Sequence, residues 1–288
     1  MELILDRVTR NYGNKIACDH ISLTFKEGVY GLLGANGAGK TTLMRMMCGV
    51  LLPTSGTIQF NGIDVNHENY RDALGYLPQD FGYYPEFTAQ DFMLYIAALK
   101  GLPKYRAKEK TGELFELVSL EREAKKKIKT FSGGMKQRLG IAQSLLNDPK
   151  ILILDEPTAG LDPKERVRFR NMISRLGKDR IVLLSTHIVS DVEYIADTIL
   201  MMKDGQLIHQ GTLEEIIQTI KDKVWDCTVF QSEADMLCNK YQVINLRQEG
   251  DKLLLRLISE GQPCNTSVNT AATLEDLYLY YFSEVSER

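Results

Sequence analysis

The amino-acid sequence predicts an α/β fold: a mostly parallel sheet with antiparallel strands at its amino end, a helical insertion, and a small α+β region at its carboxyl end. Short apolar segments alternate with segments of helical periodicity, which is the pattern of a sheet covered by helices. The segments ILIL and IVLL, which begin at Ile151 and Ile181, carry no polar residue and are typical of parallel strands buried on both faces. With 288 residues the chain also exceeds one average domain.

The predicted strands are short apolar, β-branched segments bounded by Gly, Pro or Asp. In chain order they are LILDRV, HISLTF, VYGLLG, GTIQF, LGYLP, ILILDEP, RIVLLSTH and TILMMKDGQLIHQG. The Asn-Gly pair in FNGID and the Asp-Gly pair in KDGQ favour tight hairpins. Helices are predicted for KTTLMRMMCGV, TAQDFMLYIAALKG, AKEKTGELFELVSL, SGGMKQRLGIAQSLLND and PKERVRFRNMISRLG.

The order of these elements predicts two domains, residues 1–215 and 216–288. Successive helices replace the alternation between about 80 and 147, so we expect a helical subdomain inserted there. After residue 211 the pattern changes to the helix TLEEIIQTIK, strands near WDCTVF, QVINLR and KLLLRLI, a polar loop and the helix TLEDLYLYYFSEV. This final region is predicted to be a small α+β domain.

The composition excludes several classes of protein. No apolar run approaches the roughly 20 residues that cross a bilayer, and the start MELILDRVTRNYG lacks the layout of a secretory signal, so we expect a cytoplasmic protein. The five cysteines are scattered without a CxxC motif, which indicates reduced thiols. Residues 212–288 hold 7 Lys+Arg against 13 Asp+Glu, and acids interleave with the basic runs elsewhere, so no nucleic-acid partner is expected.

The loop GANGAGKTT, Gly34–Thr42, follows a predicted strand and opens a predicted helix, which matches the phosphate-binding pattern G-x-x-x-x-G-K-[ST]. Glycines let backbone N–H groups close around phosphate oxygens, and the helix N-terminus adds the positive end of its dipole. We expect Lys40 to reach the β- and γ-phosphates and Thr41 to ligate Mg²⁺. The other expected nucleotide contacts are Asn36, Gly37, Ala38, Gly39 and Thr42. The loop alone does not separate an ATPase from a GTPase or a kinase.

Two acidic residues follow the buried strand ILIL. Asp155 is suited to hold Mg²⁺ through its water shell, and Glu156 to polarise an attacking water molecule. Both lie at the carboxyl edge of the predicted sheet, where α/β folds bind ligands. The alternative is an acidic turn that faces solvent, but two adjacent carboxylates without a cation would repel each other.

Three further residues are candidates because of their positions. His187 ends the strand IVLLS and is predicted to hydrogen-bond a γ-phosphate, while Gln79 follows LGYLP and is placed to ligate Mg²⁺ or orient water. Tyr12 is placed to stack against an adenine ring. Each has an ordinary alternative: a structural histidine, a loop amide and a packed strand aromatic.

The segment TFSGGMKQR, Thr130–Arg138, carries no acid or metal ligand, yet it places a hydroxyl and two glycines at a predicted helix start. Ser132 with the amides of Gly133 and Gly134 forms an anion site that needs a phosphate from outside this segment. A helix cap after a flexible turn is the alternative.

Taken in order, these pieces resemble the nucleotide-binding subunit of ATP-binding-cassette (ABC) transporters, a P-loop NTPase fold, over residues 1 to about 215. The matching features are Tyr12, Gly34–Thr42, Gln79, the segment around Ser132, Asp155, Glu156, AGLD at Ala159–Asp162, and His187. The resemblance implies an ATPase that uses ATP and Mg²⁺. Its catalytic residues would be Lys40, Gln79, Glu156 and His187, and its Mg²⁺ ligands Thr41, Gln79 and Asp155.

The resemblance also implies a head-to-tail homodimer with ATP between two copies of the chain. Ser132, Gly133 and Gly134 of one copy would complete the phosphate site of the other, with Ser132, Gly134 and Asp162 at the interface and Asp162 coupling the two sites. The chain departs from the family's usual Leu-Ser-Gly-Gly-Gln in two places. Phe131 keeps an apolar anchor, whereas Met135 lacks an amide that would contact the opposite subunit.

The ending TLEDLYLYYF looks like the LEDVFL-type ending of bacterial export-type (ABC-2-like) subunits. The resemblance therefore implies export through separate integral membrane permease subunits, which would hold this chain on the inner face of the cell membrane. The helical insertion and the loop DFGYYPEFTAQ after Gln79 are the expected coupling surface. Three alternatives stay open: a soluble cassette ATPase that acts on ribosomes or DNA, an importer subunit, and a nucleotide-gated binding module without turnover.

Overall fold

The structure is a computed structural model of the chain, and it describes residues 1–282. The chain divides into two compact units, Met1–Gln210 and Gly211–Arg288. The predicted domain boundary between residues 215 and 216 stays a prediction.

The first unit contains two sheets. Its strands are β1 (Leu3–Tyr12), β2 (Lys15–Phe25), β3 (Gly28–Leu33), β4 (Ser55–Phe60), β5 (Ile63–Asp64), β6 (Leu74–Leu77), β7 (Ile151–Asp155), β8 (Ile181–Ser185), β9 (Thr198–Lys203) and β10 (Gln206–Gly211). One sheet has the order β2-β1-β4-β5 and is antiparallel. The other has the order β10-β9-β3-β8-β7-β6 and is parallel from β9 to β6. The predicted parallel core with antiparallel strands at the amino end is confirmed.

The helices of the first unit are α1 (Lys40–Met47), α2 (Glu68–Asp72), α3 (Ala89–Leu99), α4 (Lys104–Leu117), α5 (Gly133–Ser144), α6 (Pro163–Leu176) and α7 (Val189–Ile195), with 3-10 turns at Glu121–Glu123 and Ile128–Thr130. The helices α3, α4 and α5 follow one another between β6 and β7, as the predicted insertion requires. The sequence did not predict α2 and α7, because five and seven residues are too few to show a helical period.

The core of the first unit lies between the two sheets. Every residue of β7 and β8 is buried, which agrees with sequences that are apolar up to the final Asp155 and Ser185. The helix α1 contributes Leu43, Met44, Met46 and Met47 to the same apolar cluster. On the opposite face α7 packs closely against β3 at Gly31. Only glycine leaves room there, since a Cβ at this position would overlap the side chain of Val192.

Both predicted hairpins form with the left-handed backbone that their turn residues favour. Asn61 and Gly62 have φ of 48° and 81° between β4 and β5, and Asp204 and Gly205 have φ of 50° and 81° between β9 and β10. Positive φ at both central residues is the geometry of a type I′ turn, whose twist matches that of the flanking strands.

The second unit is a four-stranded antiparallel sheet with helices. Its elements are α8 (Leu213–Ile217), a 3-10 turn at Gln218–Ile220, β11 (Val224–Val229), α9 (Gln231–Lys240), β12 (Gln242–Glu249), β13 (Lys252–Ile258), β14 (Ser267–Asn269) and α10 (Leu274–Phe282), with strand order β12-β13-β11-β14. The sequence did not predict α9 and β14, and the predicted continuation of the last helix lies outside the described residues. Across residues 1–282 no helix is both long and apolar enough to span a bilayer.

Candidate active site

The phosphate loop joins the end of β3 to the start of α1, and neighbouring backbone holds its shape. Gly37 and Gly39 have φ of 85° and 106°, which only glycine adopts without strain. A Cβ at Gly39 would overlap the carbonyl oxygen of Ala17 in β2. On the other side the N–H of Gly205 donates to the carbonyl of Ala38 over 3.0 Å. The loop is therefore fixed between β2 and the β9–β10 turn.

Lys40, the first residue of α1, is buried inside this loop. Its Nζ donates to the carbonyl oxygens of Gly34 at 2.6 Å and Ala35 at 3.1 Å. Burial lowers the pKa of the Lys40 ammonium from its usual value, and the nearby carboxylates of Glu156 and Asp155 partly oppose that shift. The ammonium thus lies between the loop and the two acids, where a phosphate oxygen would give it a stronger partner than a carbonyl.

Asp155 is the last residue of β7 and is almost completely buried. Its Oδ1 accepts a hydrogen bond of 2.7 Å from the hydroxyl of Ser185 at the end of β8. Its Oδ2 is buried without a hydrogen-bond partner among residues 1–282. A buried, unpaired carboxylate oxygen is costly unless a cation or donor satisfies it, so this atom fits a hard cation such as Mg²⁺.

Glu156 follows β7 in a left-handed backbone conformation, with φ of 51°. Its N–H is held by Ser185, at 3.2 Å from the carbonyl and 3.1 Å from the hydroxyl. Its Oε2 lies 2.9 Å from Nδ1 of His187, and the side chains of Glu156 and His187 are 10% and 59% exposed. The imidazole therefore shields a nearly buried carboxylate. The predicted contact of His187 with a γ-phosphate stays a prediction.

Lys40, Asp155 and Glu156 share one cleft of about 270 Å³, and His187 is not among its lining residues in the described chain. The cleft is lined by Tyr12, Lys15, Ala17, Asn36, Gly37, Gly39, Lys40, Thr41, Thr42, Gln79, Asp155 and Glu156. The fold thus brings together most of the predicted nucleotide and metal contacts, whereas Ala38, a residue of the loop itself, is buried and does not line the cleft. Lys15 and Ala17 were missed. Lys15 pairs directly with Tyr12 across the β1–β2 hairpin, so the register of that hairpin would have indicated it.

The Ser132 segment is not among the residues that line this cleft in the described chain. Ser132 is the exposed N-cap of α5, and its hydroxyl accepts a hydrogen bond of 3.2 Å from the N–H of Met135. Gly134 is buried, because the carboxylate of Glu165 in α6 occupies the space that a Cβ would fill. Within one described chain, the start of α5 is therefore not part of the cleft that the phosphate loop lines.

Two charged side chains join α5 to its neighbours. Arg138 donates through Nη1 to the carbonyls of Val118 and Ser119, at the end of α4, and its Nη2 lies 3.2 Å from the Glu165 carboxylate. At the start of α6, Asp162 is an exposed N-cap whose carboxylate accepts from the N–H of Glu165 at 2.8 Å. The Ser132 and Asp162 segments are thus held together within one chain. The predicted role of Asp162 between two chains stays a prediction.

The known proteins that this chain resembles agree with the phosphate-binding loop described above. A protein-family model described as ABC transporter matches residues 18–159. The chain is 37% identical to the uncharacterised ABC transporter ATP-binding protein YxlF of Bacillus subtilis, over 96% of this chain and 98% of that protein. It is 40% identical to the bacitracin transport ATP-binding protein BcrA of Bacillus licheniformis, over 70% and 67% of the two chains.

A further relative is the Nod factor export ATP-binding protein I of Burkholderia orbicola, 36% identical over 74% of this chain and 71% of that protein. Among solved structures, the chain resembles the dimeric ATP-binding cassette MJ0796 in a post-hydrolysis state bound to ADP and Pi. The TM-score is 0.67 at 25% identity, over 73% of this chain and 98% of that one.

Proposed function

The chain belongs to the ATP-binding proteins of ABC transporters, and on this premise we propose that it hydrolyses ATP to power export through separate membrane-spanning permease subunits. The observation that carries the proposal is the meeting of Lys40, Asp155 and Glu156 in one cleft at the carboxyl edge of a parallel sheet. This combination supplies a phosphate-binding cation, a metal ligand and a general base.

The phosphate loop would bind the triphosphate. Its N–H groups and the start of α1 would surround the phosphate oxygens, and Lys40 would exchange its two carbonyl partners for the β- and γ-phosphates. Thr41, Gln79 and the unpaired Oδ2 of Asp155 are the residues that would hold Mg²⁺. When bound, Mg²⁺ neutralises phosphate charge and favours displacement at the γ-phosphorus.

Glu156 would act as the general base. Its carboxylate accepts a proton from a water molecule, whose oxygen bonds to the γ-phosphorus while the bond to the β–γ bridging oxygen breaks, giving ADP and phosphate. His187 lies 2.9 Å from Oε2 and would hold the carboxylate in place. Because Glu156 is almost buried, few bulk water molecules would compete with the attacking one.

A second copy of the chain would complete each site. Ser132 and the amide of Gly133 face solvent at the start of α5, where a γ-phosphate from another copy would find donors and a positive helix end. The exposed carboxylate of Asp162 lies on the neighbouring helix start and would meet the same partner. The dimeric MJ0796 cassette supports this arrangement.

The permease would contact the aromatic loop that follows Gln79. Tyr84 packs edge-to-face on Tyr95 and tilted on Phe87, and Tyr84 and Tyr95 are 50% and 38% exposed. Glu86 in this loop is held by ion pairs with Lys127 and Lys129. A firmly held, exposed aromatic surface is a typical docking site for an apolar helix. Docking there would hold the chain on the cytoplasmic face of the membrane.

Export is the favoured direction because BcrA and the Nod factor protein, two relatives by sequence, are named for transport and export. The export-type resemblance of the sequence that forms α10 supports the same direction. The test is isolation of the tagged chain from its native cells in mild detergent. We expect a multi-span membrane protein in stoichiometric amount, and its loss in Tyr84→Ala but not in Tyr194→Ala, an exposed tyrosine on α7 outside the helical insertion.

Ribosomal or DNA-repair proteins in stoichiometric amount, without a membrane protein, would contradict export and favour a soluble cassette ATPase. A membrane partner that binds both tyrosine variants equally would leave the transporter assignment intact and remove the aromatic loop as its docking site.

A further inference from the structure

Arg10 lies two residues before Tyr12 on β1, so both side chains leave the same face of the strand. The guanidinium carbon of Arg10 lies 4.8 Å from the centroid of the Tyr12 ring, within the range of a cation–π contact. Tyr12 itself is 46% exposed and lines the cleft. One face of the ring is thus covered by a cation, and the ring still presents open surface.

A backbone carbonyl group holds the guanidinium of Arg10 in place. Arg10 Nη1 donates to the carbonyl oxygen of Leu52 over 2.9 Å, and its Nε is buried without a partner among residues 1–282. Leu52 lies in the segment that follows α1. Two more hydrogen bonds fasten this segment to β1, from Asn11 N–H to the Thr54 hydroxyl at 3.1 Å and from Thr54 N–H to the Thr9 carbonyl at 2.7 Å. The position of Arg10 is therefore tied to the carboxyl end of the phosphate-loop helix.

We propose that Arg10 is a positioning residue for the base of the nucleotide: it covers one face of Tyr12, fixes the ring, and leaves the opposite face for adenine. This inference rests on the proposed ATP-binding function and on the predicted stacking of adenine against Tyr12. A fixed ring loses less side-chain freedom when the base stacks on it. A cation on one face also draws π-electron density towards itself, which makes the opposite face a better partner for an electron-rich heterocycle.

The contacts of Arg10 with Tyr12 and Leu52 also fix the spacing between the Tyr12 ring and the phosphate-loop helix. The ring is joined through Arg10 and Leu52 to the end of α1, and α1 begins at Lys40, where the phosphates bind. The stacking face and the phosphate loop are therefore held on one support. A nucleoside triphosphate would benefit from both, whereas inorganic tripolyphosphate would use only the loop.

The experiment measures the dissociation constants of ATP and of tripolyphosphate by titration calorimetry on the full chain. Arg10→Gln keeps an amide for Leu52 but removes the charge, and we expect it to weaken ATP binding about fivefold while tripolyphosphate binding is unchanged. Arg10→Lys, which keeps a cation over the ring, should retain most of the ATP affinity. Combining Arg10→Gln with Tyr12→Ala should weaken ATP binding no further than Tyr12→Ala alone.

A matched control is Lys240→Gln, which removes the cation that lies 5.0 Å from the ring of Tyr241 in the second unit. It should leave both dissociation constants unchanged. Equal weakening of ATP and tripolyphosphate in Arg10→Gln, or no weakening of either, would overturn the positioning role. If instead Tyr12→Ala bound ATP as tightly as the wild type, the proposed base site itself would be wrong, whatever Arg10 does.

Discussion

At the residue scale, the surroundings of Glu156 support its proposed role as a general base. Its backbone lies in the left-handed region, which costs free energy for a non-glycine residue, and two contacts with Ser185 hold it there. Its side chain is 10% exposed and lies against His187. Strained backbone at a nearly buried acid is typical of a functional site.

We predict that Glu156→Gln slows ATP hydrolysis at least ~100-fold, an increase of roughly 2.7 kcal/mol in the activation free energy. The amide has nearly the same shape but cannot accept the proton, so ATP binding and ATP-dependent dimerisation should persist. Phosphate release and light scattering measure the two properties. Glu121→Gln, an exposed glutamate in the helical region, is the control and should behave as the wild type. Unchanged turnover in Glu156→Gln would remove Glu156 as the base.

Most of the candidate cleft could be predicted from local patterns, because the phosphate loop and the two acids each occupy one continuous segment. Lys15, Ala17 and Arg10 could not be found in this way. Their positions depend on the β1–β2 register and on the packing of β1 against the segment after α1, which are long-range features. The predictions for Tyr12, Gln79 and His187 came from their positions and from the family resemblance, and their roles stay predictions.

At the element scale, the close approach of α5 and α6 determines where the Ser132 segment lies. Gly134 leaves room for the carboxylate of Glu165, and that carboxylate is also held by Arg138 of α5. The same Arg138 binds the carbonyls at the end of α4. The helical insertion, the Ser132 segment and the Asp162 cap therefore share one small set of polar contacts.

We predict that Gly134→Ala lowers ATPase activity about tenfold or more, because the new methyl group displaces Glu165 and shifts the start of α5. Gly112→Ala on α4 is the matched control, since a Cβ there also meets nothing within 4 Å, and it should keep wild-type activity. Adding Glu165→Ala to Gly134→Ala should restore part of the activity by freeing space. Equal activities of the two single variants would show that the Glu165 contact does not set the position of α5.

Elements with a strong apolar pattern were predicted well, whereas the missed elements α2, α7, α9 and β14 are very short or contain few buried apolar residues. Strands β7 and β8 are apolar at almost every position, so burial on both faces could be predicted directly. The helix α9, with the sequence QSEADMLCNK, buries only Ala234 and Leu237, too few apolar residues to show a period. This helix is stabilised by its packing on the sheet of the second unit, which local propensity does not encode.

At the scale of the whole molecule, some of the acidic residues that outnumber basic ones in the second unit form ion pairs within that unit. Arg256 on β13 pairs with Asp276 of α10 at 2.7 Å and with Asp226 of β11 at 3.2 Å. Burial alone would raise the pKa of the Asp276 carboxyl, but hydrogen bonds from Arg256 and Thr273 outweigh it and hold the pKa below its usual value. Two of the acids counted from the sequence therefore stabilise this unit.

We predict that Arg256→Met lowers the free energy of unfolding of the second unit by about 3 kcal/mol at pH 7, because Asp276 would remain buried and charged. Since the folded pKa of Asp276 is depressed, its stabilisation is complete above the ordinary value of 3.8 and is lost as the pH falls through the folded value. The difference in unfolding free energy between the wild type and Arg256→Met should therefore shrink as the pH falls below 3.8.

The single tryptophan, Trp225, lies on β11, so its fluorescence during urea unfolding measures the second unit separately. Arg247→Met is the control, because Arg247 pairs with Glu249 on an exposed strand end and should change stability by only about 0.5 kcal/mol. Equal urea midpoints for the two variants would contradict a structural role for the Arg256 pairs.

We propose that two copies of the chain share each ATP site, and mixing two inactive variants tests this proposal. Lys40→Ala would remove the proposed phosphate-binding cation, and Ser132→Arg would block the helix start that is proposed to serve the other copy. In a mixed dimer one site carries both changes and the other carries neither. Random mixing should therefore restore about a quarter of the wild-type ATPase activity, although each variant alone has almost none. A mixture that stays inactive, or a Ser132→Arg variant that is fully active alone, would contradict the shared site.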